Sequence, residues 1–150
     1  MKKTKIKKIF IDREFGFPVK LLNVPMIKVR GIWTPHINYN LLSEQLLKML
    51  CQKPIRLTGN EIRFIRFSLE MSLQDFAKRL AVTHVAVIKW EKMKNRPTPM
   101  NCSTEKDLRL FLFSKISSSS KAWAKLYQSL EEVQSDNPKP IQLDLEKLAA

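Results

Sequence analysis

The chain has 150 residues, of which 44% are hydrophobic, enough for one packed domain with a small appendage. Its 27 Lys and Arg against 14 Asp and Glu give a net charge of +13 and a sequence pI near 10.0. This excess excludes an acidic interaction tail and favours a polyanionic partner, either nucleic acid or an anionic membrane surface. The charge lies early in the chain, with a net +9 in residues 1–60, +4 in residues 61–100 and zero thereafter.

The sequence contains few residues that could bind a metal ion or act as a catalytic nucleophile. The cysteines, Cys51 and Cys102, and the histidines, His36 and His84, form none of the closely spaced pairs typical of zinc sites. No Ser-His-Asp, phosphate-loop or HExxH pattern occurs, so we expect no enzyme, no metal and no cofactor. We expect a cytoplasmic protein, because the cysteines are few and the sequence has no signal-peptide pattern. We expect no membrane-spanning segment, because no apolar run reaches about 18 residues.

The first 38 residues predict a small, basic, antiparallel β element. Residues 9–11 are β-forming, a turn follows around Gly16, and an extended run covers residues 19–29. Pro25 interrupts that run, which predicts an edge strand or a bulge rather than a central strand. The lysines between residues 2 and 8 predict a mobile, solubilising arm.

The rest of the chain predicts helices. A helical face covers residues 39–51, and three candidate N-caps follow, namely Thr58 (with Glu61 as a capping box), Ser72 and Thr83. A proline-containing loop at 94–102 precedes a helix beginning at Ser103 or Thr104. Four serines at 117–120 then separate it from a helix containing Trp123. The tail from Ser135 onward fits either a docking segment or a frayed end.

The predicted fold class is α+β, a small antiparallel element followed by an all-α five-helix domain. The predicted divisions are the β element (1–38), a connecting helix (39–56), a helical domain (57–116) and a C-terminal helix with a tail (117–150).

Residues 72–91 are the segment that points to a function. Two short helices joined by a short turn are typical of a helix-turn-helix, with Ala77, Leu80, Val82, Val87 and Trp90 facing the core. Burying these positions turns five residues toward a DNA major groove: Thr83, His84, Val85, Ile88 and Lys89. The predicted phosphate-contacting residues are Ser72, Gln74, Lys92, Lys94 and Arg96. Arg63 and Arg66 either contact phosphate or belong to a solvated face.

Residues 53–113 resemble the Xre, or lambda-repressor-like, helix-turn-helix domains, and more narrowly the MqsA (YgiT)-type and HigA antitoxins. The similarity lies in the stretch from Lys53 to Arg66 and in residues 72–77 and 82–91. It implies a dimer that binds an operator palindrome in double-stranded DNA, represses its own operon and neutralises an RNase-type toxin.

The chain departs from that pattern at several positions. The zinc-binding cysteine pairs of many YgiT-type members are missing, and His36 stands alone in that region. Leu73 replaces a phosphate-binding Gln of the wider family, with Gln74 one position later. Ala81 replaces the common turn Gly, which predicts a slightly different turn geometry.

We therefore expect a dimeric, sequence-specific DNA-binding transcriptional regulator, an antitoxin-like autorepressor. The alternative is a protein-interaction module that neutralises a toxin, with residues 19–29 as an edge strand that joins the partner's sheet and DNA binding secondary or lost. Attachment to an anionic membrane is disfavoured, because the sequence contains no basic amphipathic helix with a sufficiently apolar face.

Overall fold

The computed structural model of the protein describes residues 4–117, 120–130 and 140–148. These residues form four strands and seven helices, so the predicted mixed α+β class with a small N-terminal sheet is confirmed. In chain order the elements are β1 (Thr4–Asp12), β2 (Val19–Val29), β3 (Ile32–Pro35), α1 (Tyr39–Gln52), α2 (Gly59–Ser68), α3 (Leu73–Arg79), α4 (His84–Glu91), α5 (Cys102–Ile116), α6 (Ser120–Leu130), β4 (Ile141–Asp144) and α7 (Leu145–Leu148). They belong to two compact units, one formed by Met1–Ser43 with Lys139–Ala150 and the other by Glu44–Pro138.

The sheet of the first unit combines both ends of the chain. β1 pairs antiparallel with β2, and β2 pairs antiparallel with β3 through a two-residue turn at Arg30 and Gly31. Both turn residues have positive φ (50° and 82°), as a type I′ hairpin requires. β4 pairs parallel with residues 19–22 of β2, which the sequence did not predict. Residues 141–144 are therefore a docked strand rather than a frayed end, and residues 135–139 of the predicted tail lie outside the described residues.

β2 is the central strand, and the expectation that it lies at an edge is wrong. β1 covers one side of β2, while β3 and β4 share the other side, one after the other. Pro25 is tolerated because it lies where β3 ends and beyond the end of β4, which pairs with β2 only at residues 19–22. Its carbonyl accepts a hydrogen bond from the His36 N–H at 2.7 Å, and the reciprocal bond is the one that a proline cannot donate.

The buried face of β2 changes its alternation at Asn23. Val19 and Leu21 are buried on one side of this residue and Val24 and Met26 on the other, so the core pattern shifts by one position. Asn23 has a φ of 55°, and its side chain donates to the Asp144 carboxylate at 2.9 Å. β1 begins at Thr4, so the lysines at positions 5, 7 and 8 belong to a strand rather than to a mobile arm.

The helices of the second unit begin largely where the sequence places them. Thr58, Ser72 and Thr83 are N-caps, as predicted. The fourth start is wrong by one or two residues, because the Asn101 side chain accepts from the Ser103 N–H at 2.9 Å and starts α5 at Cys102. Residues 57–116 contain four helices, so the count of five is not confirmed for this segment.

The core of the second unit is formed by side chains of α1, α2, α3, α4 and α5. Among its fully buried apolar side chains are Leu46, Leu50, Ile62, Ile65, Phe76, Val87, Leu108 and Leu112. Leu126 and Leu130 of α6 are also buried, whereas Trp123 is 39% exposed. The Trp123 ring stacks on the Tyr127 ring, with 5.5 Å between the ring centroids.

Candidate nucleic-acid interface

The α3–α4 pair is defined by hydrogen bonds at both helix starts and in the turn. The Ser72 hydroxyl accepts from the Asp75 N–H at 3.1 Å, and the Thr83 hydroxyl accepts from the Ala86 N–H at 3.2 Å. Ala81 has a φ of 56°, the left-handed conformation that a glycine would adopt. The alanine therefore adopts a backbone conformation that favours glycine, at a cost of about 1–2 kcal/mol.

Apolar anchors hold α4 in one orientation. Val87 and Trp90 are buried on α4, and Ala77 and Leu80 are buried on α3 and at its end. These four positions were predicted to face the core, whereas Val82, for which burial was also predicted, is only half-buried in the turn. Because the anchors fix one side of α4, its opposite side is fixed as well.

Four of the five predicted base-facing residues are exposed, namely Thr83, His84, Val85 and Lys89. Val85 is 47% exposed, although it is a large apolar side chain at a helix start. Ile88 differs, because it is half-buried and faces a cleft. The exposed surface of α4 therefore comprises its N-terminal half together with Lys89.

The five predicted phosphate-contacting residues are all exposed: Ser72, Gln74, Lys92, Lys94 and Arg96. Lys92 is the C-cap of α4, and its N–H donates to the Ile88 carbonyl at 3.0 Å. Lys94 has a φ of 55°, and its carbonyl accepts from the Asn60 N–H at 2.8 Å. The loop after α4 is thus attached to the start of α2.

Gly59 allows that attachment. A Cβ at this position would stand 2.3 Å from the Trp90 carbonyl oxygen and 2.8 Å from the Lys94 nitrogen. Only a residue without a side chain lets the two backbones approach so closely. The Gly59 N–H also donates to the Arg96 carbonyl at 3.3 Å.

Arg66 does not belong to a solvated face, so that interpretation of it is wrong, while its contact with phosphate stays a prediction. It is 8% exposed, and its Nε lies 2.6 Å from the Glu91 carboxylate. Its Nη1 donates to the Met71 carbonyl at 3.1 Å. This ion pair connects α2 to the end of α4, and nothing in the local pattern of either helix predicts it, because the partners are 25 residues apart.

A second group of buried charged side chains includes residues of α2 and α5. Glu61 is bonded to Lys53 through both carboxylate oxygens, one of them at 2.8 Å, so it does not close the predicted capping box with Thr58. Arg109 is 1% exposed and donates to the Ile55 carbonyl at 2.7 Å. Burial lowers the pKa of Arg109 from its ordinary value, and the Glu105 carboxylate at 3.6 Å opposes that effect.

The face of α2 toward α4 borders an open cleft of about 650 Å³. Four of the lining residues are basic and one is acidic, which gives the lining a net charge of +3. The lining residues are Asn60, Arg63, Arg66, Leu73, Ile88, Glu91, Lys92 and Lys94. An open, positively charged cleft of this kind favours an anion.

Within residues 4–117, 120–130 and 140–148, no three His, Cys, Asp or Glu side chains are grouped so that they could hold a metal ion. No helix in the same part of the chain is long and apolar enough to cross a membrane. Comparisons with protein-family models, curated protein sequences and solved structures each give no match. The geometry and charge of the second unit are therefore the basis on which a function is proposed.

Proposed function

We propose that the protein is a sequence-specific, double-stranded-DNA-binding transcriptional regulator, and that α3 and α4 are its helix-turn-helix. The observation that carries this proposal is the exposed N-terminal half of α4 on a helix fixed by Val87 and Trp90. A helix held in this way places its first residues in a major groove without further ordering.

The exposed side chains on α4 suit direct base contacts. The Lys89 ammonium donates to guanine O6 or N7, and the His84 ring donates to a base acceptor. Val85 is apolar and packs against a thymine methyl group. The cations after α4 contact phosphates and supply affinity that falls with salt.

The antitoxin-like, autorepressing role follows from the resemblance of residues 53–113 to Xre-type antitoxins. Such a regulator binds a palindrome as a two-fold dimer. The exposed Trp123–Tyr127 pair on α6 supports self-association, because aromatic side chains are enriched in interfaces. Sedimentation of the protein with and without operator DNA measures the stoichiometry, and one protomer per operator would contradict the dimer.

The decisive experiment titrates the protein against its own promoter fragment. Lys89→Ala should weaken binding by about 5- to 150-fold, equivalent to ~1–3 kcal/mol, and relax the preference at one base position. Lys94→Ala should weaken binding to all sequences alike and make the salt dependence shallower. Lys48→Ala, an exposed lysine on α1, is the matched control and should change little. If Lys89→Ala behaves like the control, the groove docking of α4 is wrong.

A second candidate function, toxin neutralisation by protein contact, is favoured by the outer face of the sheet. Ile6, Ile9 and Ile32 are 60%, 51% and 70% exposed on this face. In the part of the chain that the structure describes, β1 pairs only with β2, so its other edge is free for strand addition. The exposed lysines 5, 7 and 8 on β1 suit an acidic, extended segment of the partner.

Co-expression with the neighbouring gene tests this second function. A stoichiometric RNase-like partner that is lost in the variant Ile6→Glu/Ile9→Glu would support binding at β1. A clean homodimer from the wild-type co-expression would contradict it.

A further inference from the structure

The cleft beside α2 carries more positive charge than its own ion pair neutralises. The charge of Arg66 is compensated by Glu91 at 2.6 Å. Arg63, Lys92 and Lys94 are exposed, and none of them forms an ion pair with another described residue. Three uncompensated cations therefore lie around one concave surface.

Contacts within the protein hold part of the cleft in place, namely the Lys94 backbone and the Arg63 side chain. Lys94 starts from a backbone fixed by the Asn60 N–H, and the Asn60 side chain donates to the Asn95 side chain at 3.1 Å. The Arg63 guanidinium lies 5.3 Å from the Phe67 ring, which limits its freedom on the exposed side of α2. Cations that are already oriented lose less conformational entropy when an anion binds.

We propose that this cleft binds a phosphate group, with Arg63 as a ligand that lies outside the α3–α4 pair. The inference rests on the proposed function, in which the phosphate is a diester of the DNA backbone. Lys92 and Lys94 follow α4 directly, so a backbone strand that contacts them comes within reach of α2. An arginine suits this role because its planar guanidinium can donate two parallel hydrogen bonds to one phosphate. α2 then becomes a second DNA-contacting helix that adds affinity without sequence preference.

The first test compares Arg63→Gln with Lys48→Gln on the promoter fragment between 50 and 200 mM salt. One lost phosphate contact should reduce the slope of log K against log salt by about 0.9. Between 50 and 200 mM salt, the affinity of the variant should therefore fall about 3.5-fold less than that of the wild type. We expect that change for Arg63→Gln and none for Lys48→Gln, which removes one exposed charge elsewhere in the same unit. Arg63→Lys should restore the slope but not the full affinity. Thermal unfolding of Arg63→Gln checks that the fold is kept.

The second test separates a DNA phosphate from a free phosphate by calorimetry with inorganic pyrophosphate. One outcome is that the wild type binds pyrophosphate, Arg63→Gln does not, and the two proteins bind DNA equally well. This outcome would support the phosphate site and identify a free anion, rather than DNA, as the source of the phosphate. If Arg63→Gln matches Lys48→Gln in both tests, the inference is overturned. The proposed function survives that result provided that Lys89→Ala still weakens DNA binding, and fails if the wild type does not bind duplex DNA.

Discussion

Replacing Gly59 with alanine should destabilise the second unit by about 3 kcal/mol. The new Cβ would lie 2.3 Å from a carbonyl oxygen of α4 and 2.8 Å from the Lys94 nitrogen, whereas ordinary contacts begin at 3.4 Å. Since all the crowding atoms are backbone, α2 and the end of α4 must separate by roughly 1 Å. Overpacking of this kind costs about 1–3 kcal/mol.

The separation also weakens two hydrogen bonds, from the Gly59 N–H to Arg96 and from the Asn60 N–H to Lys94, each worth about 1 kcal/mol. The better helix propensity of alanine returns less than about 1 kcal/mol, so the sign of the effect is not in doubt. A loss of about 3 kcal/mol lowers the Tm of a domain this size by roughly 12–24 °C.

The assay follows Trp90 fluorescence during urea and thermal unfolding in a Trp33→Phe/Trp123→Phe background, where Trp90 is the one remaining tryptophan of the chain. Gly31→Ala is the matched control. Its Cβ meets nothing within 4 Å, so only the left-handed backbone is penalised, by about 1–2 kcal/mol in the other unit. A Gly59→Ala protein within about 0.5 kcal/mol of the parent, judged against typical surface substitutions, would refute the close-approach argument.

Two further predictions concern buried groups. Glu105→Ala should cost about 3–5 kcal/mol, because it leaves the buried Arg109 without its carboxylate, whereas Asp107→Ala, in a half-exposed pair on the same helix, should cost ~0–1 kcal/mol. Equal shifts of the urea midpoint in these two variants would contradict the buried network. Burial raises the pKa of the Cys51 thiol from 9.0 to about 12, so the unfolded chain loses this proton first as pH rises, and stability should fall between pH 9 and 12 by up to about 1.4 kcal/mol per pH unit. The difference in slope between the parent and Cys51→Ala, measured by urea unfolding from pH 8 to 11, isolates this thiol, and identical slopes would rule the effect out.

The helix starts could be predicted because a cap is a local feature. Thr58, Ser72 and Thr83 each bond to an N–H three residues later, within the window that a sequence pattern covers. Asn101 was missed because its side chain accepts from the N–H two residues later, and the serine and threonine that follow it offered equally good candidate caps.

The position of β2 could not be predicted because it depends on a distant segment. Pro25 is a sound sign of an edge strand when the ladder beside it is continuous. Here the neighbours of β2 change from β4 to β3 around that residue, and β4 comes from the other end of the chain. No local pattern contains that information.

The candidate site was predictable on α4 and unpredictable on α2. The spacing of Val87 and Trp90 determined which side of α4 is exposed, and only Ile88 departs from the expected exposure. The roles of Arg63 and Arg66 differ because one of them meets Glu91, a residue brought close by packing rather than by spacing. The cleft follows from the same packing.

The parallel pairing of β4 with β2 has a consequence for the order of events during synthesis. Asn23 and Asp144, which are hydrogen-bonded at 2.9 Å, are separated by 121 residues. At about 5–20 residues per second, the ribosome takes roughly 6–24 s to add the residues between them. Throughout that interval one side of residues 19–22 lacks its native neighbour, and the helices of the second unit, which end at Leu130, are all synthesised before β4.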